Sequence, residues 1–172
     1  MLSLAKLFRY LYRNFLPVWL GLWVYYLTHP RNRIFLAERR QVIRLLQEKA
    51  AADPEIHEIL RFVRRNKTLI FPYAFVKNYY PEDIPVYVDG DLFYTMYDGK
   101  RLYFPRGLKK KTIRECCSGL LLEQDKASPH RYETDTFGVQ AGDIVAEVGA
   151  AEGNFGLSVV ERAKKLYLFE CE

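Results

Sequence analysis

The sequence predicts an α/β chain that closes on one β-α-β unit of a nucleotide-binding fold, preceded by helices and a small antiparallel hairpin layer. Three observations predict it. A short β-branched run, Asp143 to Val148, breaks at Gly149 and is followed by Gly153, Gly156 and a second apolar run that ends on Glu170. Two Asp-Gly pairs, Asp89-Gly90 and Asp98-Gly99, separate strand-like runs, which is a strong short-range hairpin signal. Further upstream, apolar residues recur at helical spacing on both sides of Asp53-Pro54.

Residues 1–28 carry Lys6, Arg9 and Arg13 ahead of Phe15 to Leu27, thirteen residues without a charge and rich in Trp, Tyr and Leu. A spanning helix needs about 20 apolar residues, so this run is too short. It also lacks an Ala-x-Ala-like cleavage site, which argues against a secretory signal. Pro17 would start or kink a helix there. Two readings stay open. The segment is an apolar helix docked on the rest of the protein, or it lies at a membrane surface with Trp19, Trp23, Tyr25 and Tyr26 at the interface.

After the break at His29-Pro30, Arg33 to Ala52 is expected as a helix with Ile34, Phe35, Val42, Ile43, Leu45 and Leu46 on its apolar stripe. Asp53 reads as an N-cap and Pro54 as the first helical residue of a second helix to Arg65. Arg39-Arg40 and Arg64-Arg65 read as solvated faces. Lys67 to Pro85, punctuated by Pro72, Pro81 and Pro85, has no clear period and is expected as an extended connector. Val86 to Val88, Leu92 to Tyr97 and Arg101 to Phe104 read as strands, and Thr112 to Gln124 as a helix entered through Lys109-Lys110-Lys111. The expected divisions are therefore 1–66, 67–108, 109–135 and 136–172.

Hydrophobic content of 49%, with 13 Tyr and 11 Phe, excludes a disordered chain. A net charge of +5 allows an anionic partner or a membrane surface. No segment interleaves basic and stacking residues as a nucleic-acid surface would, so a nucleic-acid partner is not expected. Cys116, Cys117 and Cys171 make no disulfide framework, and the vicinal pair reads as small apolar helix residues in a reducing, cytoplasmic compartment. His29, His57 and His130 are far apart in sequence, and no metal site is expected. Ser128-Pro129-His130-Arg131-Tyr132 sits in a polar linker. It could orient a substrate carboxylate or take a hydroxyl proton, or be a plain turn with Arg131 paired to a neighbouring acid.

The residue types after Asp143 point to a ligand. Gly149 permits a sharp turn off the strand, Gly153 lets a ligand approach backbone, and Gly156 lets the helix sit close to the sheet. The start of the Asn154–Lys165 helix offers N–H groups to an anionic group. Glu170, about 20 positions past the first glycine, can accept both hydroxyls of a ribose. Glu172, on the same strand face, is the fallback. A dinucleotide site wants G-x-G-x-x-G, but positions 151 and 154 hold Ala151 and Asn154. Glu147 and Glu152 would repel a pyrophosphate and suit a ligand with an ammonium and a sulfonium, S-adenosylmethionine. Glu147, Gly149, Ala150, Ala151, Gly153, Asn154, Phe155, Gly156 and Glu170 are the expected cofactor-binding residues. No catalytic residue is assigned.

Ile144 to Phe155, with Tyr167-Leu168-Phe169-Glu170 after it, resembles the first motif and second strand of S-adenosylmethionine-dependent methyltransferases of the FkbM type. Glu147 stands where Asp is commoner in the family, and Cys171 where Pro is common. The resemblance is strong over roughly the last thirty residues. It is looser from about Val86, through Tyr97-Asp98-Gly99-Lys100 and Ser128 to Tyr132. It implies a Rossmann-like methyltransferase fold of which only the first β-α-β unit is present, and O-methylation of a sugar or polysaccharide-related hydroxyl. The remaining strands, the acceptor pocket and any base would lie after Glu172, so the chain reads as part of a larger enzyme and as inactive alone. The rival readings are a fragment of an NAD-dependent oxidoreductase and a membrane-peripheral interaction module without activity.

Overall fold

The computed structural model describes residues 20, 21, 23, 34–66 and 71–171. The chain divides into two compact units, residues 1–74 and 75–172. Within residues 1–33, only Leu20, Gly21 and Trp23 are described, as helical. The docking and membrane readings of residues 1–28 otherwise lie outside the described residues. Among the described residues no helix is long and apolar enough to cross a membrane.

In the first unit, helix α1 (Ile34–Lys49) is followed by α2 (Pro54–Arg65). Asp53 caps α2, its Oδ1 accepting the N–H groups of Glu55 at 2.9 Å and Ile56 at 3.4 Å, while Pro54 fills the first turn, where no N–H is needed. Leu60, Phe62 and Val63 are buried. The expected solvated face at Arg39-Arg40 is corrected at its first member. Arg39 is buried and its guanidinium donates to the Val63 carbonyl, one of the acceptors left open at the end of α2.

Two 3₁₀ turns lie at and after the boundary between the units. Where it is described, the connector expected as extended instead forms turns over Ala74–Asn78 and Pro81–Asp83. Pro81 supplies the fixed φ of a first turn residue and cannot donate to a strand ladder. Strands β1 (Tyr87–Asp89), β2 (Leu92–Tyr97) and β3 (Lys100–Phe104) form an antiparallel sheet in that order. Tyr97 pairs with Lys100, so Asp98 and Gly99 make a two-residue loop with both φ positive, +47° and +73°. This is the primed turn that Asp-Gly favours.

Alternation then fixes the two faces of the sheet. Tyr87, Tyr94 and Tyr103 form an outward ladder with ring centroids 5.2 and 5.5 Å apart, and Arg101 lies over Tyr94. Thr95, Tyr97, Leu102 and Phe104 point inward. Against them packs α3 (Lys110–Glu123), two residues earlier at its start than the expected Thr112, with Ile113 and Cys117 both 0% exposed. Burying a side chain such as Ile113 or Phe104 contributes about 1.5–3 kcal/mol, and this cluster with Ile84 is the core of the unit.

The chain ends in β4 (Ile144–Val148), α4 (Asn154–Val159) and β5 (Lys165–Phe169), with β4 and β5 parallel and Ile144 opposite Lys165. The helix expected to run to Lys165 stops at Val159. Past it the backbone turns back, with Gly142 N–H donating to Arg162 O and Lys164 N–H to Asp143 O, at 2.9 and 2.8 Å. The chain must re-enter the sheet beside β4, and that return takes the residues the apolar pattern lent to a helix. The observed fold is mixed α/β: helices, a small antiparallel sheet and a parallel pair.

Candidate functional site

Three left-handed residues, Gly149, Ala151 and Gly153, with φ of +73°, +45° and +67°, fold the loop between β4 and α4. The N–H groups of Gly149 and Ala150 both donate to Phe169 O, at 2.8 and 3.0 Å. The loop is thereby tied to the end of the neighbouring strand. One residue on, the Glu170 carboxylate accepts the Ala151 N–H, and its other oxygen accepts the Cys171 N–H at 3.1 Å. Gly149 to Gly153 and Glu170 therefore meet at the C-terminal edge of the parallel pair. In open α/β sheets ligands bind outside that edge. Glu172 lies outside the described residues.

Glu147 points to the other side, beneath α4. Its Oε2 accepts the Gly156 N–H at 2.9 Å, and its second oxygen makes no hydrogen bond among the described residues. Burial raises the Glu147 carboxyl pKa, and the Gly156 N–H opposes that rise. A Cβ at Gly156 would stand 2.8 Å from that oxygen and 2.9 Å from a Leu168 methyl, so glycine here is a matter of space. Ala150 is buried behind the loop.

Asn154 and Phe155 are turned elsewhere. Asn154 is 7% exposed and donates through Nδ2 to the Tyr97 hydroxyl at 3.2 Å, joining α4 to the hairpin layer. Phe155 meets Tyr132 edge-on, with centroids 5.2 Å apart. Glu152 accepts from the Cys116 thiol at 3.1 Å, and burial, followed by that bond, pushes Cys116 up to about 12. The thiol is therefore neutral and a poor nucleophile near neutral pH.

A cleft of about 290 Å³ opens on the flank of α4, among Tyr97, Asp98, Gln124, Arg131, Phe155 and Arg162. Arg131 is the member of the Ser128–Tyr132 segment that reaches it. His130 is exposed, and its backbone N–H donates to Ser128 Oγ at 3.2 Å. The expected pairing partner of an acid here was Arg131, but Arg162 takes that role. It grips Glu133 through two bonds of 2.9 and 2.8 Å and also donates to Val139 O. That pairing, before any other influence, holds the Glu133 carboxyl below its ordinary range. Sequence reasoning missed Gln124 and Tyr97 as cleft residues. Both carry ordinary helix and strand roles in the pattern, and Asp98 reads as a turn residue within the Tyr97–Lys100 stretch of the looser resemblance.

Among the described residues no group of three His, Cys, Asp or Glu could hold a metal ion. The chain matches no family model, no curated protein and no solved structure.

Proposed function

We propose that this chain is the cofactor-binding start of a Rossmann-like, S-adenosylmethionine-dependent methyltransferase of the FkbM type, acting on a sugar or polysaccharide-related hydroxyl. One observation carries the reading: the carboxylate that ends β5, Glu170, is hydrogen-bonded to the left-handed loop that follows β4, through Ala151 N–H. A ribose-accepting acid and a backbone loop open to a ligand thus lie side by side at the C-terminal edge of a parallel pair.

The donor set fits the cofactor's chemistry. A Cβ at Gly149 would meet nothing within 4 Å, so the loop is open on its outer side. Glu170 would exchange its bond to Ala151 for the ribose hydroxyls. Glu147, half-buried and with one oxygen uncommitted among the described residues, is a negative group two residues before the loop for an ammonium or sulfonium, while Glu152 within the loop accepts from the Cys116 thiol. The absence of glycine at positions 151 and 154 disfavours a pyrophosphate, and Asn154 is occupied with Tyr97. The cofactor supplies an electrophilic methyl group. The chain's own task is positioning, since in-line geometry is the main requirement of such a displacement.

Titration with S-adenosylhomocysteine, with NADH as the control, tests the reading. Binding of the former that Glu170→Ala weakens supports it. Equal or tighter binding of NADH would replace it with the oxidoreductase.

A further inference from the structure

Charge is divided unevenly along this chain. Residues 1–74 hold 13 of its 26 Lys and Arg but only 5 of its 21 Asp and Glu, so the cationic excess of the whole protein comes from the first unit. The described helices of that unit show where part of the excess lies.

Arg39 sets the arrangement. Its bond to Val63 O brings the early turns of α1 beside the last turn of α2, so the two helices run antiparallel and the backbones near 40 and 64 are neighbours. Arg40 on α1 and Arg61, Arg64 and Arg65 on α2 gather at this end, and Arg44 stands one turn further along α1. Arg61, Arg64 and Arg65 share a face at i, i+3 and i+4, turned away from buried Leu60 and Val63. The acids are sorted the other way. Glu48, Asp53, Glu55 and Glu58 lie toward the connection between the helices, and among the described residues Glu38 is the one acid at the arginine end.

Arg40, Arg44, Arg61, Arg64 and Arg65 are all exposed, and among the described residues none makes a side-chain hydrogen bond or an ion pair. Arg64 and Arg65 sit in the last turn of α2, where they complement the helix dipole. That role does not extend to Arg40, Arg44 or Arg61. Five like charges so placed repel one another, and an array of anions outside the protein would offset the repulsion.

The guanidiniums span two helices and about a turn of each, which suits many phosphates on a plane rather than one in a pocket. Val42 and Leu45, 39% and 50% exposed, flank Arg44 on α1 and supply the apolar contact of an interfacial helix. A nucleic-acid surface would present stacking rings instead, and Phe62, the aromatic residue of α2, is buried.

We infer that the arginine end of the α1–α2 hairpin docks on an anionic phospholipid surface. Arg40, Arg44, Arg61, Arg64 and Arg65 meet the lipid phosphates, and Val42 and Leu45 enter the headgroup layer. The inference rests on α1 and α2, not on residues 1–28, and uses no residue of the glycine loop.

The full chain is sedimented with phosphatidylcholine vesicles, with and without phosphatidylglycerol, and the bound fraction is followed against lipid concentration. Binding is expected only to the vesicles that contain phosphatidylglycerol, and it falls as salt rises. An arginine near such a surface is worth about a fivefold change in affinity. Arg61→Gln/Arg64→Gln/Arg65→Gln is therefore expected to weaken binding at least about tenfold, and Arg40→Gln/Arg44→Gln about fivefold or more. Glutamine keeps helix propensity and these positions are exposed, so both variants fold, which circular dichroism checks. Lys109→Gln/Lys110→Gln/Lys111→Gln removes three exposed cations of the other unit and leaves the affinity within about twofold.

No binding, or equal binding to both vesicle types, would overturn the inference. Unchanged affinity in either arginine variant would do the same and leave residues 1–28 as the membrane contact. An equal loss in the lysine variant would reduce the effect to net charge and also overturn it. Release of the bound chain by equimolar polyuridylate would assign the arginines to nucleic acid instead.

Discussion

Glu147 Oε2 accepts the backbone N–H of Gly156 at 2.9 Å, so the carboxylate of β4 holds the first turn of α4 in place. The side chain at the centre of the expected cofactor contacts therefore also supports the loop. Loss of this group would disturb the first turn of α4 as well as the proposed cofactor contact, which is why Glu147 variants need a stability measurement beside any binding measurement.

Gly156→Ala is expected to destabilise the chain by about 1–3 kcal/mol, the usual range for overpacking. The added methyl would press on the Glu147 carboxylate and on the Leu166 and Leu168 methyl groups at 2.8–3.1 Å. Urea denaturation measures the difference, and an unchanged midpoint would mean that α4 shifts freely on the pair of strands.

Two carboxylates give opposite pH dependence. Glu133, with its pKa lowered by Arg162, stabilises the fold above its ordinary value of 4.5, and that contribution is lost as pH falls through the folded value. Arg162→Met should remove this acid-side loss. Glu147, with its pKa raised by burial, acts the other way. Its contribution is complete below the ordinary 4.5 and declines as pH rises through the folded value. Glu147→Gln should flatten that decline. Thermal melts across the acid range check both signs.

Alkylation should separate the three thiols. Cys171 is exposed, Cys117 is 0% exposed, and Cys116 is pushed up to about 12. Iodoacetamide at mildly alkaline pH is expected to label Cys171 first and to reach the vicinal pair only on unfolding. Mass spectrometry of timed digests reads the order, and early labelling of Cys116 would contradict the bond to Glu152.

The hairpins were legible because Asp-Gly pairs and alternating runs are local signals, and the observed strands begin and end within a residue or so of the expected ones. Pro54 to Arg65 was legible through Asp53, a cap with its proline. The end of α4 was not. Apolar spacing continues to Lys165, and what stops the helix is the return of the chain to β5, a tertiary demand. Arg39 was misplaced for a similar reason. A basic pair looks solvated until another helix presents an open carbonyl. At the candidate site, glycine positions 149, 153 and 156 and the acid Glu170 were readable from spacing. The cleft was not, since Gln124, Arg131 and Phe155 come together only through packing.

The central claim is that the loop after β4 and Glu170 form one S-adenosylmethionine site. The most direct measurement is calorimetric titration of the chain with S-adenosylhomocysteine, on wild type and on Gly149→Val and Glu170→Ala. The +73° φ of Gly149 costs a β-branched residue about 1–3 kcal/mol and distorts the loop. Binding in the wild type that both substitutions reduce at least about tenfold is the predicted result. No heat of binding in the wild type, or equal affinity in all three proteins, would contradict it.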